Sequence, residues 1–182
     1  MKSTLFIKLK GQIKMLIGKN IELKLIEKKD LQLIVRWKNS AYEKFYEYPL
    51  SNSGQEVWFE KHIRSNDFLF IIYELPNNKI GMAGLSNIDN RNRNAEFGRF
   101  VLDERFRGKG YGKEALMLVL DYAFKHLNLH SVYLDTLKNN VKSIDFYEKA
   151  GFKQEGIKRQ HIYKNGKYND LVCMRILKED YI

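Results

Sequence analysis

The feature that most constrains the fold of this chain is a glycine-rich turn at residues 107–112, which read Arg-Gly-Lys-Gly-Tyr-Gly. The turn lies between an apolar run that ends at Leu102 and a helical run that begins near Tyr111. Glycines leave backbone N–H groups uncovered, and the N-terminus of a helix adds further free N–H groups, so the combination suits phosphate oxygens. The sequence therefore predicts a strand, a turn that holds a pyrophosphate, and a helix, in that order.

The turn does not match the two commonest nucleotide-binding loops. A GxGxxG dinucleotide fingerprint that began at Gly108 would need a glycine where Lys113 stands. A Walker A loop would need one more residue between Gly108 and Gly112, and Glu114 stands in place of the Ser or Thr that holds magnesium. Both nucleotide interpretations are excluded, and a purely structural strand-to-helix turn stays open.

Length and composition predict one globular domain. At 182 residues the chain is long enough for one packed core and short for two domains. Apolar residues make up 44% of the chain and aromatic residues 13%, which is more than a disordered chain carries. Because Met15 and the residues after it would serve as a beginning, we expect residues 1–14 to be an N-terminal extension and residues 15–182 to form the domain.

The formal net charge of +10 predicts a surface that attracts anions such as nucleotides, phosphates or nucleic acid. The basic residues are spread along the chain without a nucleic-acid-binding signature, so a basic nucleic-acid-binding or CoA-binding module without catalysis is an alternative only. The single cysteine, Cys173, lies in an apolar alternating run and is predicted to be buried, which fits a reducing compartment. We find no apolar stretch as long as a signal peptide or membrane span, and expect a cytoplasmic protein with no membrane partner.

Hydrophobic periodicity predicts about seven strands and about four helices. Antiparallel hairpins and β-α-β segments are mixed along the chain, which indicates a single α/β domain with one mixed, mostly antiparallel central sheet flanked by helices. The predicted strands are residues 21–25, 68–75, 80–88, 95–102, 131–137, 152–163 and 168–177. The predicted helices are residues 31–39, 53–65, 111–127 and 141–150.

A second segment gives the turn a more specific meaning. Residues 140–152 follow the pattern N-x-x-S-x-x-F-Y-E-K-x-G-F, and residues 107–112 follow R-x-x-G-x-G. The pattern of residues 107–112 resembles the acetyl-CoA pyrophosphate loop of the GNAT N-acetyltransferase superfamily. The pattern of residues 140–152 is similar to another signature of that superfamily. The resemblance covers the chain from about Met15 onward. It looks closest to the branch that contains ribosomal-protein, spermidine and amino-sugar-nucleotide N-acetyltransferases.

The resemblance implies a GNAT-like fold and acetyl-CoA as the co-substrate. It implies that the strand before the turn offers backbone groups to the pantetheine arm and the thioester oxygen, and that the turn holds the pyrophosphate. The residues predicted to bind acetyl-CoA are Phe100, Val101, Leu102, Arg107, Gly108, Lys109, Gly110, Tyr111, Gly112, Asn140 and Ser143.

Acetyl transfer to an amine needs two proton transfers. An alkylammonium with a pKa near ~10 must lose a proton before it attacks. Glu96, in the strand that leads to the turn, is the best-placed base, directly or through a water, although an edge-strand glutamate in solvent would look the same. By its match to the superfamily's tyrosine, Tyr147 is predicted to protonate the departing thiolate; the alternative is a core or interface tyrosine.

The acceptor is the least determined part of the prediction. Trp37, Tyr46 and Trp58 are predicted to contact it, with core packing as the alternative for each. A protein N-terminus or an amino-sugar nucleotide is the main prediction, and a polyamine is the alternative, because few carboxylates lie among the lysines of residues 38–61. The four histidines show no metal-ligand spacing, so no metal is expected. A homo-oligomer is left open.

Overall fold

The computed structural model describes residues 5–9, 12–40, 50–164 and 166–181, with the backbone alone for residues 5–9 and 12–14. The strands are β1 (Leu5–Leu9), β2 (Gln12–Ile17), β3 (Ile21–Leu25), β4 (Phe68–Glu74), β5 (Asn78–Asp89), β6 (Asn94–Leu102), β7 (Ser131–Leu137), β8 (Lys153–Lys164) and β9 (Lys167–Leu177). The α-helices are α1 (Leu31–Ser40), α2 (Asn52–His62), α3 (Tyr111–Asp121) and α4 (Val141–Glu148). A π-helical turn, Tyr122–His126, continues α3.

The strands form one mixed sheet in the order β1-β2-β3-β4-β5-β6-β7-β9-β8. The β6–β7 pair is parallel, and the other neighbouring pairs are antiparallel. The predicted mixed, mostly antiparallel sheet with about four helices is therefore confirmed, with nine strands in the described residues where about seven were expected. The two additional strands are β1 and β2.

Strands β1 and β2 form a hairpin at the edge of the sheet, next to β3. Strand β2 runs across residue 14, where the sequence places the end of an N-terminal extension. Polar and apolar side chains alternate in residues 12–15, Gln-Ile-Lys-Met, so the sequence carries a strand pattern here that the expected extension overlooks. The assignment of residues 1–14 as an extension separate from the domain stays a prediction.

Two hydrophobic cores lie on the two faces of the sheet. One contains Leu116, Val119 and Phe124 of the α3 segment, packed on strand residues such as Phe97 and Val132. The other contains Ile34 and Trp37 of α1 and Phe59 of α2, packed on Ile71 and Met82. Helices α3 and α4 therefore cover one face, and α1 and α2 cover the other.

The start of α3 is attached to the turn between β2 and β3 by Glu114. Its carboxylate accepts hydrogen bonds from the backbone N–H of Lys19 and, at 2.9 Å, from the backbone N–H of Asn20. The side-chain amide of Asn20 donates to the same carboxylate at 2.9 Å. Glu114, the residue that excludes a Walker A loop, thus fixes the helix that follows the glycine-rich turn.

Cys173 differs from the prediction that it is buried. It is half-buried on β9. Its neighbours Val172 and Met174 point into the core beneath α3, and alternation along the strand turns Cys173 to the opposite face.

Candidate active site

The glycine-rich turn has the backbone conformation that its sequence predicts. Gly108 and Gly110 have φ angles of +77° and +86°, in the left-handed region that L side chains rarely adopt. Gly110 is the N-cap of α3, so the free N–H groups of the first helical turn follow at once. The turn therefore presents uncovered backbone donors at the positive end of a helix dipole.

A cavity of about 770 Å³ opens between this turn, the end of β6 and the start of α4. The predicted cofactor residues that line it are Phe100, Val101, Leu102, Arg107, Gly108, Gly110, Gly112, Asn140 and Ser143, and Tyr147 lines it as well. The structure thus brings the two sequence signatures to one cavity, large enough for an extended cofactor arm.

Two of the predicted cofactor residues do not line this cavity. The ammonium of Lys109 lies 4.9 Å from the ring centroid of Phe106. The hydroxyl of Tyr111 donates a 2.5 Å hydrogen bond to Glu74 at the end of β4. The side chains of Lys109 and Tyr111 therefore contact other residues and do not line the cavity. Their part in cofactor binding stays a prediction.

The cavity also has lining residues that the sequence analysis missed, namely Lys113, Leu137, Asn139, Lys142 and Phe146. Lys113 and Lys142 lie in the first turns of α3 and α4, where a cation is unfavourable beside the positive end of the helix dipole. A lysine in the first turn of a helix is the sequence signal that could have identified Lys113 and Lys142. A bound anion would remove the repulsion between each lysine and the positive end of its helix dipole.

Asn140 acts as the N-cap of α4. Its side-chain oxygen accepts a hydrogen bond from the backbone N–H of Ser143 at 3.3 Å. The oxygen is committed to the cap, so the side-chain N–H groups of Asn140 are the donors that can face a ligand in the cavity. Asn140 therefore holds the start of α4 and Tyr147, two turns further along, against the cavity wall.

Tyr147 is held in place by aromatic rings. Its ring centroid lies 5.2 Å from that of Phe146, 5.7 Å from that of Phe152 and 6.2 Å from that of Phe97. Burial raises the pKa of the Tyr147 hydroxyl well above its ordinary value. The phenol therefore keeps its proton at neutral pH, as a proton donor must.

The parallel strands β6 and β7 separate next to this tyrosine. Their pairing covers Asn94, Ala95 and Glu96 of β6 and stops there. Beyond it, Arg99 has a φ angle of +52°, and the β5–β6 register shifts between Gly98 and Val101, across this residue. The backbone of Phe100 to Leu102 is thus released from β7 and faces the cavity, which fits the predicted role in binding the pantetheine arm.

Glu96 lies at the point where the two strands separate. Phe97, its neighbour, contacts Tyr147 on the α3–α4 face, and alternation along the strand places the Glu96 side chain on the other face. The Glu96 carboxylate accepts a 2.7 Å hydrogen bond from the side-chain amide of Asn87. The two predicted catalytic residues therefore lie on opposite sides of β6, beside one opening.

The three predicted acceptor residues have different environments. Trp37 is 4% exposed and packs in the core beneath α1, which matches the alternative that it fills core space. Trp58 is partly exposed on α2 and stacks on His62 with 4.9 Å between ring centroids. Tyr46 lies outside the described residues. An acceptor role for any of the three stays a prediction.

In the part of the chain that the structure describes, no three His, Cys, Asp or Glu side chains are placed to hold a metal ion. No helix there is both long and apolar enough to cross a membrane.

Comparison with known proteins identifies the family. The family described as "Acetyltransferase (GNAT) domain" matches residues 20–153. The chain belongs to this GNAT acetyltransferase family. It is 31% identical to a spermidine N(1)-acetyltransferase of Vibrio cholerae over 91% of this chain and 98% of that protein. It is 30% identical to the Escherichia coli K12 enzyme of the same name over 90% of this chain and 89% of that protein.

A solved structure supports the same assignment. The crystal structure of spermidine N-acetyltransferase from Vibrio cholerae in complex with CoA and spermine superposes with a TM-score of 0.84 and 32% identity. The match covers 90% of this chain and 99% of that one. This GNAT member is an acetyl-CoA-dependent N-acetyltransferase.

Proposed function

We propose that this GNAT enzyme transfers the acetyl group directly from acetyl-CoA to a primary amine, with Glu96 and Tyr147 as its proton-transfer groups. The observation that carries the proposal is the opening between β6 and β7. Glu96 lies on one face of β6 at this opening, and Tyr147 lines the cavity on the other. An amine that enters from the Glu96 side meets a thioester held from the Tyr147 side.

The reaction follows from these positions. The amine nitrogen attacks the thioester carbonyl carbon, and Glu96, directly or through a water, takes the proton that the nitrogen loses. Backbone N–H groups of the released end of β6 face the negative charge that develops on the carbonyl oxygen. The carbon–sulfur bond then breaks, and Tyr147 donates its proton to the thiolate, whose thiol has a pKa of roughly 8.5.

Polyamines are the first acceptor class to examine. The names of two relatives that cover about nine-tenths of the chain support the polyamine alternative more than a protein N-terminus or an amino-sugar nucleotide. A third relative, a putative ribosomal N-acetyltransferase of Bacillus subtilis, is 39% identical over only 56% of this chain and 55% of that protein.

The acceptor is tested by measuring CoA release with spermidine, spermine, an amino-sugar nucleotide and N-terminal peptides. We expect a polyamine to have the highest kcat/KM. Initial velocities with both substrates varied should give intersecting lines, as direct attack in a ternary complex requires. Parallel lines with an acetylated enzyme seen by mass spectrometry would contradict the direct-attack mechanism, and turnover of the peptides alone would contradict the polyamine assignment.

A further inference from the structure

The two carboxylate oxygens of Glu96 have different surroundings. Oε2 accepts the 2.7 Å hydrogen bond from the side-chain amide of Asn87, which crosses from β5 to β6. A carboxylate can only accept hydrogen bonds, so the amide of Asn87 must present its N–H group to it. In the part of the chain that the structure describes, no hydrogen bond reaches Oε1. One oxygen of the predicted base is therefore held and the other is open.

An irregularity in β5 places Asn87 for this contact. Its φ angle is +52°, and the β5–β6 register shifts between Ser86 and Asp89. Asparagine is one of the few residues that enter this left-handed region readily. The backbone N–H of Asn87 donates a 3.1 Å hydrogen bond to the carboxylate of Asp67, which fixes the irregular backbone from outside the strand. The local backbone thus directs the amide of Asn87 at Glu96.

Gly98 borders the open oxygen of Glu96. It lies on the same face of β6 as Glu96, because side chains two residues apart in a strand point the same way. A Cβ atom at Gly98 would lie 3.7 Å from Oε1 and would meet no other described atom within 4 Å apart from its chain neighbours. The φ angle of Gly98 is not positive, so the backbone does not require glycine there. What glycine provides at this position is empty space beside Oε1.

This space leads from Glu96 toward the cofactor cavity. Strands β6 and β7 separate after Glu96, and Phe100 to Leu102 line the cavity. Gly98 lies between these two parts of β6, so an amine that approaches the thioester from the Glu96 side passes over Gly98. A larger side chain at this position would stand between Oε1 and the amine nitrogen.

We propose that Oε1 of Glu96 takes the proton, that Asn87 is a positioning residue that holds Oε2, and that Gly98 forms the floor of the passage for the acceptor amine. As the nitrogen attacks, its N–H bond breaks, the electron pair stays on nitrogen, and the proton forms an O–H bond at Oε1. This inference rests on the proposed function. It goes beyond that function because it assigns the reacting oxygen and gives two further residues a role.

The passage is tested by adding a side chain at Gly98. Gly98→Val fills the space beside Oε1 with methyl groups and suits a strand. CoA release is measured with the acceptor that has the highest kcat/KM, which we expect to be spermidine. The variant should lose at least about tenfold in kcat/KM for the acceptor. Its dissociation constant for acetyl-CoA, measured by calorimetry, should match that of the natural chain, which shows that it is folded. Gly98→Ala should lose less, because its Cβ keeps an ordinary contact distance to Oε1.

Gly156→Val is the matched control. Gly156 lies on β8, at the far edge of the sheet from β6, and a Cβ atom there would meet no described atom within 4 Å. It should keep the natural kcat/KM. Equal kcat/KM in Gly98→Val and Gly156→Val would overturn the passage.

The role of Asn87 is tested with Asn87→Gly, which tolerates the positive φ angle and removes the amide. It should lower kcat about fivefold and leave the KM for the acceptor unchanged, because a hydrogen bond to the base is lost and no contact to the amine is. In the double variant with Glu96→Gln, kcat should be no lower than in Glu96→Gln alone, since Asn87 acts through Glu96. Asn128→Gly is the control, because Asn128 has the same φ angle of +52° and its side chain contacts Lys178.

The outcomes separate this inference from the proposed function. A natural kcat in Asn87→Gly, or losses that multiply in the double variant, would overturn the positioning role. A slow Glu96→Gln enzyme together with natural rates in Gly98→Val and Asn87→Gly would refute this inference alone. Turnover of Glu96→Gln at the natural rate would refute the proposed function, and this inference with it.

Discussion

Lys38 is a buried cation, and its burial makes a testable contribution to stability. Its pKa is lowered to about 8, whereas the unfolded chain keeps the proton up to a pH of about 10. Below pH 8 Lys38 is charged in both the folded and the unfolded chain. Burial of this charge then destabilises the folded chain by up to roughly 3 kcal/mol. Between pH 8 and 10 the folded state has lost a proton that the unfolded state still holds, so this contribution to stability becomes more favourable as the pH rises.

Urea unfolding at pH 7, 8, 9 and 10 tests this residue. We expect the free energy of unfolding of the natural chain to rise, relative to Lys38→Met, by up to roughly 3 kcal/mol between pH 8 and 10. Lys61→Met, at an exposed position near the end of α2, should show no such pH-dependent difference. A difference between the natural chain and Lys38→Met that stays constant over this range would mean that Lys38 is not destabilised by burial.

At the scale of one element, Gly110 determines how the turn enters α3. Its φ angle of +86° suits glycine, and a Cβ atom there would meet no other atom within 4 Å. Gly110→Ala should therefore lower the free energy of unfolding by about 1–2 kcal/mol through backbone strain alone. Because relief of the strain moves the donor N–H groups, the dissociation constant for acetyl-CoA should rise at least tenfold in calorimetry.

Gly110→Asn is the matched comparison, because asparagine enters the left-handed region more readily than alanine. We expect it to retain more stability and more acetyl-CoA affinity than the alanine variant. Equal affinity in the natural chain and Gly110→Ala would contradict a role for this backbone conformation in binding.

The turn and α4 could be predicted from the sequence because their determinants are local. Positive φ angles favour glycine at Gly108 and Gly110, and Asn140 caps the helix that carries Tyr147. The side-chain directions of Lys109 and Tyr111 depend on Phe106 and Glu74, and a distant partner such as Glu74 cannot be inferred from spacing. The same applies to the contact between Lys38 of α1 and the ring of Trp58 on α2.

For the whole molecule, the parallel pair β6–β7 is the part of the sheet that makes a reaction site. The periodicity of Ala95–Leu102 and Ser131–Leu137 predicts both strands, but the loss of pairing after Glu96 follows from irregularities in β6 and its register with β5. Those depend on contacts far apart in sequence. The class of sheet, mixed and mostly antiparallel, could be predicted from the sequence, whereas the opening between Glu96 and Tyr147 required the folded structure.

The central claim is that Glu96 and Tyr147 act from opposite sides of this opening. It is tested most directly by kcat for CoA release, at saturating acetyl-CoA and acceptor, in the natural chain, Glu96→Gln and Tyr147→Phe from pH 7 to 10. Each substitution should lower kcat about 10²-fold or more at pH 7. The Glu96→Gln deficit should shrink as the pH approaches the amine pKa of ~10, while the Tyr147→Phe deficit should not. Turnover at the natural rate in either variant at pH 7 would contradict the claim.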